Sequence, residues 1–305
     1  MKQRWYGRLA FSLVAVGLIA AGCGDDDATT TTPGATTPGV TTTAAAGPPT
    51  FAAGTTMATI QARGKLIVGT KFDQPLFGLK NPTNNQVEGF DVEVAKIVAR
   101  AIFGSDITNK VTYEEATSRV RETIIEDGKV DIVSATYTIN DERKKVVDFA
   151  GPYYVAGQDI LVKKANTAIT GVETLAGKKV CTVQGSTSLT NVQKSAPQAD
   201  VSITFDKYSL CVEALKDSRV EAVTNDNVIL LGFINDDPAN LKLVGKPFTT
   251  EPYGLGVKKG DTAFRTFVND TLEKAYKDGT WKKAWDDTAG KTGVAAPTPP
   301  AVNRY

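Results

Sequence analysis

The sequence contains no histidine, and that one omission removes both the commonest general base and the commonest metal ligand. Cysteine is scarce, with three residues in 305, at positions 23, 181 and 211, in no spacing that suits zinc. There is no Gly-rich phosphate loop and no Gly-x-Ser-x-Gly elbow, so neither nucleotide handling nor serine hydrolysis is indicated. No metal and no cofactor is expected. Charge of neither sign predominates: 35 basic against 34 acidic residues give a net charge of +1. With no basic helix or finger pattern, that balance leaves no footprint for nucleic acid. Long apolar runs are missing too, apart from Leu9 to Ala21, which is short for a membrane span.

What is present begins with targeting. Lys2, Arg4 and Arg8 precede the apolar run, which has the form of an export signal. The run stops at Ala20, Ala21, Gly22 and Cys23, an ending that resembles the lipobox of bacterial lipoproteins. That resemblance implies a signal peptide over 1–22 and lipid on Cys23; a plain secretory signal with an incidental cysteine is the alternative. Buried lipid contributes about 0.8 kcal/mol per CH₂, so several acyl chains would hold the protein at a membrane surface. From 23 to 55 the chain is three aspartates and then almost only Thr, Ala, Pro and Gly, which predicts a disordered tether. The tail 291–305, with Pro297, Pro299 and Pro300, reads the same way. The stretch between is long enough for two lobes.

That stretch alternates strands and helices. Leu66 to Val68 forms a continuous apolar strand, and Val94, Ile97, Val98, Ala101 and Ile102 share one face of a helix starting near Asp91. Ser118 is placed to cap a further helix, carrying Val120, Ile124 and Ile125 and ending by Gly128. A strand at Val130 to Ala135 follows, and this βαβα order predicts a parallel sheet covered on both faces. A second series runs through Ile160 to Val162, Lys179 to Val183, Val201 to Phe205, a helix over Ser209 to Lys216, and Glu221 to Thr224. Last come a strand at Tyr253 to Val257 and an amphipathic helix with Phe264, Val268, Leu272 and Ala275 inward. In an exported chain thiols tend to pair, so Cys181 and Cys211 are expected to form a disulfide; two buried free thiols are the alternative.

The stretch Asp131 to Tyr154 organises the rest. A strand delivers its C-terminal end to a helix opened by Asn140 and Asp141, with Arg143 in the first turn. Free N–H groups and the helix dipole at such a junction favour an anion, and the Arg143 fork matches a carboxylate. An ordinary solvated first turn laced with i, i+4 charge pairs is the competing reading.

Several motifs, in order, decide between them: GFDVEVAK from Gly89, DERKKVVDFAGPYY from Asp141, VQGSTS from Val183 and TND from Thr224. Together they resemble the family 3 extracellular solute-binding proteins that serve ABC importers of polar amino acids. Within that family the chain is most similar to Gram-positive glutamate-binding lipoproteins, through GTKFDQP at Gly69, ATYTIN at Ala135 and the cysteines in VCTVQGST and YSLCVEAL. The resemblance implies a type II periplasmic-binding-protein-like α/β fold, two α/β lobes joined by a two-strand hinge. Lobe 1 would comprise 56–156 and, on return, 251–290; lobe 2 would comprise 157–250, with crossings near Val155 to Asp159 and Pro247 to Pro252.

Roles follow by the same resemblance. Arg143, Thr138 and Thr187 would hold the ligand α-carboxylate, and Asp226 with the carbonyl of Thr136 the α-ammonium. Without the family match, Asn225, Asp226 and Asn227 would read as an Asx turn. Arg119 and Lys71 are the candidate cations for a ligand side-chain carboxylate, and Phe72 and Tyr137 for an aromatic wall; each could instead be ordinary surface charge or core. The expected protein is a monomeric, non-enzymatic, lipid-anchored receptor on the outer face of the cytoplasmic membrane. It would present L-glutamate, or aspartate, glutamine or asparagine, to permease subunits. A sensor feeding a signalling receptor would use the same ligand chemistry. A prephenate or arogenate dehydratase on this fold would need a general acid such as Glu251.

Overall fold

The structure is a computed structural model that describes residues 48–305. The signal segment 1–22, Cys23 and most of the tether lie outside the described residues. Among those that are described, no helix is long and apolar enough to cross a membrane.

In chain order the elements are α1 (Thr56–Arg63), β1 (Leu66–Thr70), β2 (Asp73–Gln74), β3 (Gly78–Lys80), β4 (Val87–Glu88), α2 (Phe90–Phe103), β5 (Val111–Glu115), α3 (Arg121–Glu126), β6 (Ile132–Val133), α4 (Asp141–Lys144) and β7 (Val147–Ala156). Then come β8 (Gln158–Lys163), β9 (Val180–Val183), α5 (Thr187–Ser195), β10 (Thr204–Phe205), α6 (Tyr208–Lys216), β11 (Ala222–Asp226), α7 (Asn227–Asp236) and β12 (Leu241–Leu243). The chain closes with β13 (Glu251–Lys258), α8 (Thr262–Asp278) and α9 (Thr280–Asp286).

These strands build two five-stranded sheets, ordered β5-β1-β6-β13-β7 and β10-β9-β11-β8-β12, with a small antiparallel flap of β2, β3 and β4. The sheets are mixed, not all parallel as the βαβα order predicts. In the first, β1 runs parallel to β5 and β6, while β13 lies antiparallel to β6 and β7. The reason is the connectivity: β7 leads the chain out of the first lobe and β13 leads it back, so the two run in opposite directions. Where they cross, the Gln158 N–H donates to Thr249 Oγ1 (3.1 Å) and the Phe248 N–H to the Gln158 carbonyl (2.9 Å), binding the crossing strands side by side.

Helix α2 buries Val94, Ile97, Val98 and Ile102, and α8 buries Phe264, Val268, Leu272 and Ala275, the faces that their 3.6-residue periodicity selects. Behind the first sheet Phe77, Phe90, Tyr153, Tyr253, Trp281 and Trp285 form one buried aromatic mass, with Tyr154 stacked on Trp285 at 5.0 Å. Gly89, at φ +129°, is required there: a Cβ would sit 2.2 Å from the Phe77 carbonyl oxygen. Ser118 does not cap a helix. The helix begins three residues later behind Val120, and the Ser118 hydroxyl accepts from Lys71 Nζ instead (2.9 Å).

The tail 291–305 departs from its expected disorder. It lies along β7, whose outer edge is the open edge of the sheet: the Asn303 N–H donates to the Gly151 carbonyl (2.8 Å) and the Phe149 N–H to the Tyr305 hydroxyl (2.9 Å). The Tyr305 ring sits between the Arg265 guanidinium at 4.4 Å and the Lys144 ammonium at 4.6 Å. An edge strand presents unpaired backbone groups that any extended segment can satisfy, and prolines favour the extended form. Part of the expected tether behaves likewise: Phe51 packs edge-on against Phe267 at 5.3 Å.

Cys181 on β9 and Cys211 on α6 are bonded, closing a 30-residue separation in the second lobe. Loop closure of that length contributes about 3 kcal/mol through the unfolded chain. Replacing both cysteines by alanine should lower urea-denaturation stability by that amount, and added reductant should do the same to the native protein but nothing further to the variant.

Candidate functional site

The second lobe closes on the first over a buried polar cavity of about 10 Å³. A space of that order holds one water, so an amino acid can enter only if the lobes part. Gln74, Ser118, Arg121, Thr136 and Thr138 line it from the first lobe, and Ser186, Thr187, Ser188, Tyr208, Asn225, Asp226 and Ile229 from the second.

The first-lobe wall is built by residues 134–139. Ile139 donates to the Pro252 carbonyl (2.7 Å) and Gly254 to the Tyr137 carbonyl (2.9 Å), stitching the segment to β13. Thr136 adopts φ +46°, rare for a β-branched residue. Asp91 holds it there: one carboxylate oxygen accepts the Thr136 N–H (2.7 Å) and the other the Tyr153 hydroxyl (2.5 Å). Burial pushes the Asp91 carboxyl up to about 7. Asp91, the first acidic residue of the GFDVEVAK motif, thus acts through the wall and not on the cavity itself.

Helix α4 is a single turn, and the Asn140 side chain takes the Arg143 N–H (2.9 Å). Its dipole is correspondingly small, so the charge at this junction is that of the Arg143 guanidinium more than that of the helix end. That group is buried and spans the cleft, donating from Nη1 to the Thr138 carbonyl (2.7 Å) and from Nη2 to the Gly185 carbonyl of the other lobe (3.3 Å), with Nε 3.3 Å from Glu122. Burial and the neighbouring Arg121 lower its pKa to about 10. Facing it, α5 starts at Thr187, whose hydroxyl lies 3.5 Å from that of Thr138. Ser186 caps the Leu189 N–H of α5 (3.1 Å), and the preceding N–H groups have no partner within the helix.

On the opposite wall Asp226 ends β11, fully buried. Its Oδ2 accepts from the Tyr253 hydroxyl (2.5 Å), and its Oδ1 has no hydrogen-bond partner among the described residues. Burial, and then the Glu251 carboxylate, push it up to about 7. Thr136 and Asp226 therefore line one cavity, as do Thr138 and Thr187.

The remaining candidates divide. Arg119 points away from the cavity: its side chain is 60% exposed and reaches Gln184 (3.2 Å) and Asp206 (3.7 Å) on the other lobe's rim. Arg121, two residues on, is the arginine that turns inward, donating to the Ala135 carbonyl (3.1 Å). Residues Thr117 to Val120 form a turn before α3, so Arg119 lies in the turn and Arg121 opens the helix, and no periodicity spans the junction to tell which of them faces in. Lys71 is buried directly behind the wall, held by Ser118, and its pKa is lowered to about 7 by burial and then by Arg121. Phe72 lies outside the lining, beneath the Lys80 ammonium at 5.5 Å. Tyr137 is core: its ring sits between the guanidinium of Arg121 at 3.9 Å and that of Arg143 at 5.1 Å, against Phe149. Gln74, Ser186, Ser188, Tyr208, Asn225 and Ile229 were not anticipated as lining.

Two α/β lobes on a two-strand hinge, shut over a polar cavity, define a solute-binding protein of the type II periplasmic-binding fold. The chain belongs to the bacterial extracellular solute-binding proteins, family 3, whose sequence profile matches residues 66–287. It is 43% identical over 231 residues to the ABC transporter glutamine-binding protein GlnH of Bacillus subtilis, covering 75% of this chain and 83% of that one. To the glutamate-binding protein GluB of Corynebacterium glutamicum it is 38% identical over 239 residues, 76% and 80% of the two chains. Among solved structures, an ancestral arginine-binding protein bound to glutamine matches with a TM-score of 0.68 and 40% identity, over 74% of this chain and 97% of that chain.

Proposed function

We propose that this protein is the lipid-anchored receptor of an ABC importer and that its ligand is L-glutamate. The observation that carries the reading is the charge arrangement. Lys71, Arg121 and Arg143 lie buried in or behind one wall, and the buried carboxylate of Asp226 lies on the other. Burial first, and then the nearby Arg121, lowers the pKa of both Lys71 and Arg143, so the charged forms of these groups stand to gain from an anion. A ligand with two carboxylates and one ammonium complements both walls. Arg143 with Thr138 and the start of α5 at Thr187 would take the α-carboxylate, Asp226 and Thr136 the ammonium, and Arg121 with Lys71 behind Ser118 the side-chain carboxylate. The named binding proteins among its relatives support the transport role. Glu251 does not support a dehydratase: it lies outside the cavity lining, with one oxygen accepting from Asn191 (2.8 Å).

Calorimetry with glutamate, glutamine, aspartate, asparagine and arginine tests this. Glutamate should bind most tightly, and Arg121→Ala should weaken glutamate by about tenfold more than glutamine, the value of one desolvated charge-assisted contact. Equal losses for both amino acids would remove Arg121 from the side-chain subsite.

A further inference from the structure

Away from the cavity, the entry to α6, residues 206–209, meets the first lobe in three places. Lys207 Nζ lies 2.6 Å from Glu115 at the end of β5. Asp206 lies 3.7 Å from Arg119 on the turn before α3. The Ser209 N–H, at the positive end of α6, donates to Asp73 at the start of the flap (3.2 Å). Two of the contacts are ion pairs of opposite polarity, Asp206 with Arg119 and Lys207 with Glu115, and the third sets a backbone N–H against the Asp73 carboxylate. None of these residues lines the cavity.

We infer that this segment is an electrostatic latch that favours the closed lobes and so slows ligand release without touching the ligand. The inference rests on the amino-acid-binding reading above. All three contacts join one lobe to the other, and a ligand can leave only if the lobes part, so the contacts belong to the closed form and are replaced by water in the open one. Each is partly exposed and weak by itself. Acting on one closure equilibrium, they add. The Cys181–Cys211 disulfide fastens α6 to β9 at the second turn, which keeps the latch-bearing segment fixed on its own sheet.

Stopped-flow binding of L-glutamate and L-glutamine to the native protein, Lys207→Glu, Glu115→Lys and the double variant tests the latch. Each single reversal should raise the dissociation rate of both ligands about fivefold at an unchanged association rate. The double variant, with the pair re-formed in the opposite sense, should return to within about twofold of the native rate. Salt at about 0.5 M should narrow the difference between native and single variants. Arg119→Asp supplies an independent reversal should either single variant fold poorly. Native-like dissociation from the single variants, in a protein that does bind, would overturn the latch and leave the functional reading intact. So would a loss that the double variant fails to restore while the ligand-free melting temperature falls. A native protein that binds neither amino acid would overturn the functional reading, and the latch with it.

Discussion

Arg143→Ala is expected to weaken binding of every amino acid ligand by roughly a thousandfold, about 4 kcal/mol, which is the scale for truncating one partner of a desolvated charge pair. A guanidinium carries five N–H donors. Three are engaged, with the Thr138 carbonyl, the Gly185 carbonyl and Glu122. One N–H remains on each terminal nitrogen, the pair that a carboxylate accepts in parallel. The bond to Gly185 reaches the opposite lobe, so the side chain proposed to hold the ligand also joins the closed halves. Arg143→Lys keeps the charge but loses the fork, and should recover only part of the affinity. Isothermal calorimetry with glutamate and glutamine reads both variants, and retention of affinity within about threefold in Arg143→Ala would dismiss the assignment.

Asp226→Asn should cost a comparable factor for all ligands, and here pH supplies a second handle. The Asp226 carboxyl is pushed up to about 7 by burial and by Glu251 in the ligand-free protein, whereas an ammonium ligand requires the carboxylate. Affinity should therefore fall about tenfold per pH unit below 7, reaching roughly a hundredfold at pH 5. Asp226→Asn should flatten that dependence. The effect on folding has the opposite sense. A carboxyl with a raised folded pKa favours the native state when protonated, so its contribution declines as pH rises from the unfolded value near 3.8 to about 7. The ligand-free melting temperature of Asp226→Asn should thus gain on that of the native protein across this interval. A native affinity that is level between pH 5 and 8 would rule out Asp226 as the ammonium acceptor.

What could be read in the sequence and what could not differ in kind. Arg143 and Thr138 were legible because only four positions lie between them and fix their relation across one short turn, and Cys181 and Cys211 because an exported chain leaves two thiols little alternative. The periodic helices α2 and α8 were legible for the same local reason. Arg119 is the arginine the sequence reading names and Arg121 is missed, because the two flank the junction between a turn and α3, where the inward direction is set by the Lys71–Ser118 contact and the Tyr137 ring, partners more than a dozen residues away. The antiparallel placement of β13 is likewise decided by strands far off in sequence. The docked tail was hidden by its composition: Tyr305, Asn303 and Arg304 are few among prolines and alanines, yet they carry the attachments.

One feature of the topology bears on how the protein is made. All five strands of the second sheet fall between Gln158 and Leu243, whereas β13, which separates β6 from β7 in the first, is not reached until Glu251. The later half of the molecule is thus a self-sufficient insert that can acquire its core during synthesis, while the earlier half must wait, with its sheet split, for a strand almost a hundred residues downstream. Arg143, proposed to hold the ligand, and the Tyr137 ring beside it lie on the half that waits, so a competent jaw is the last thing this chain assembles.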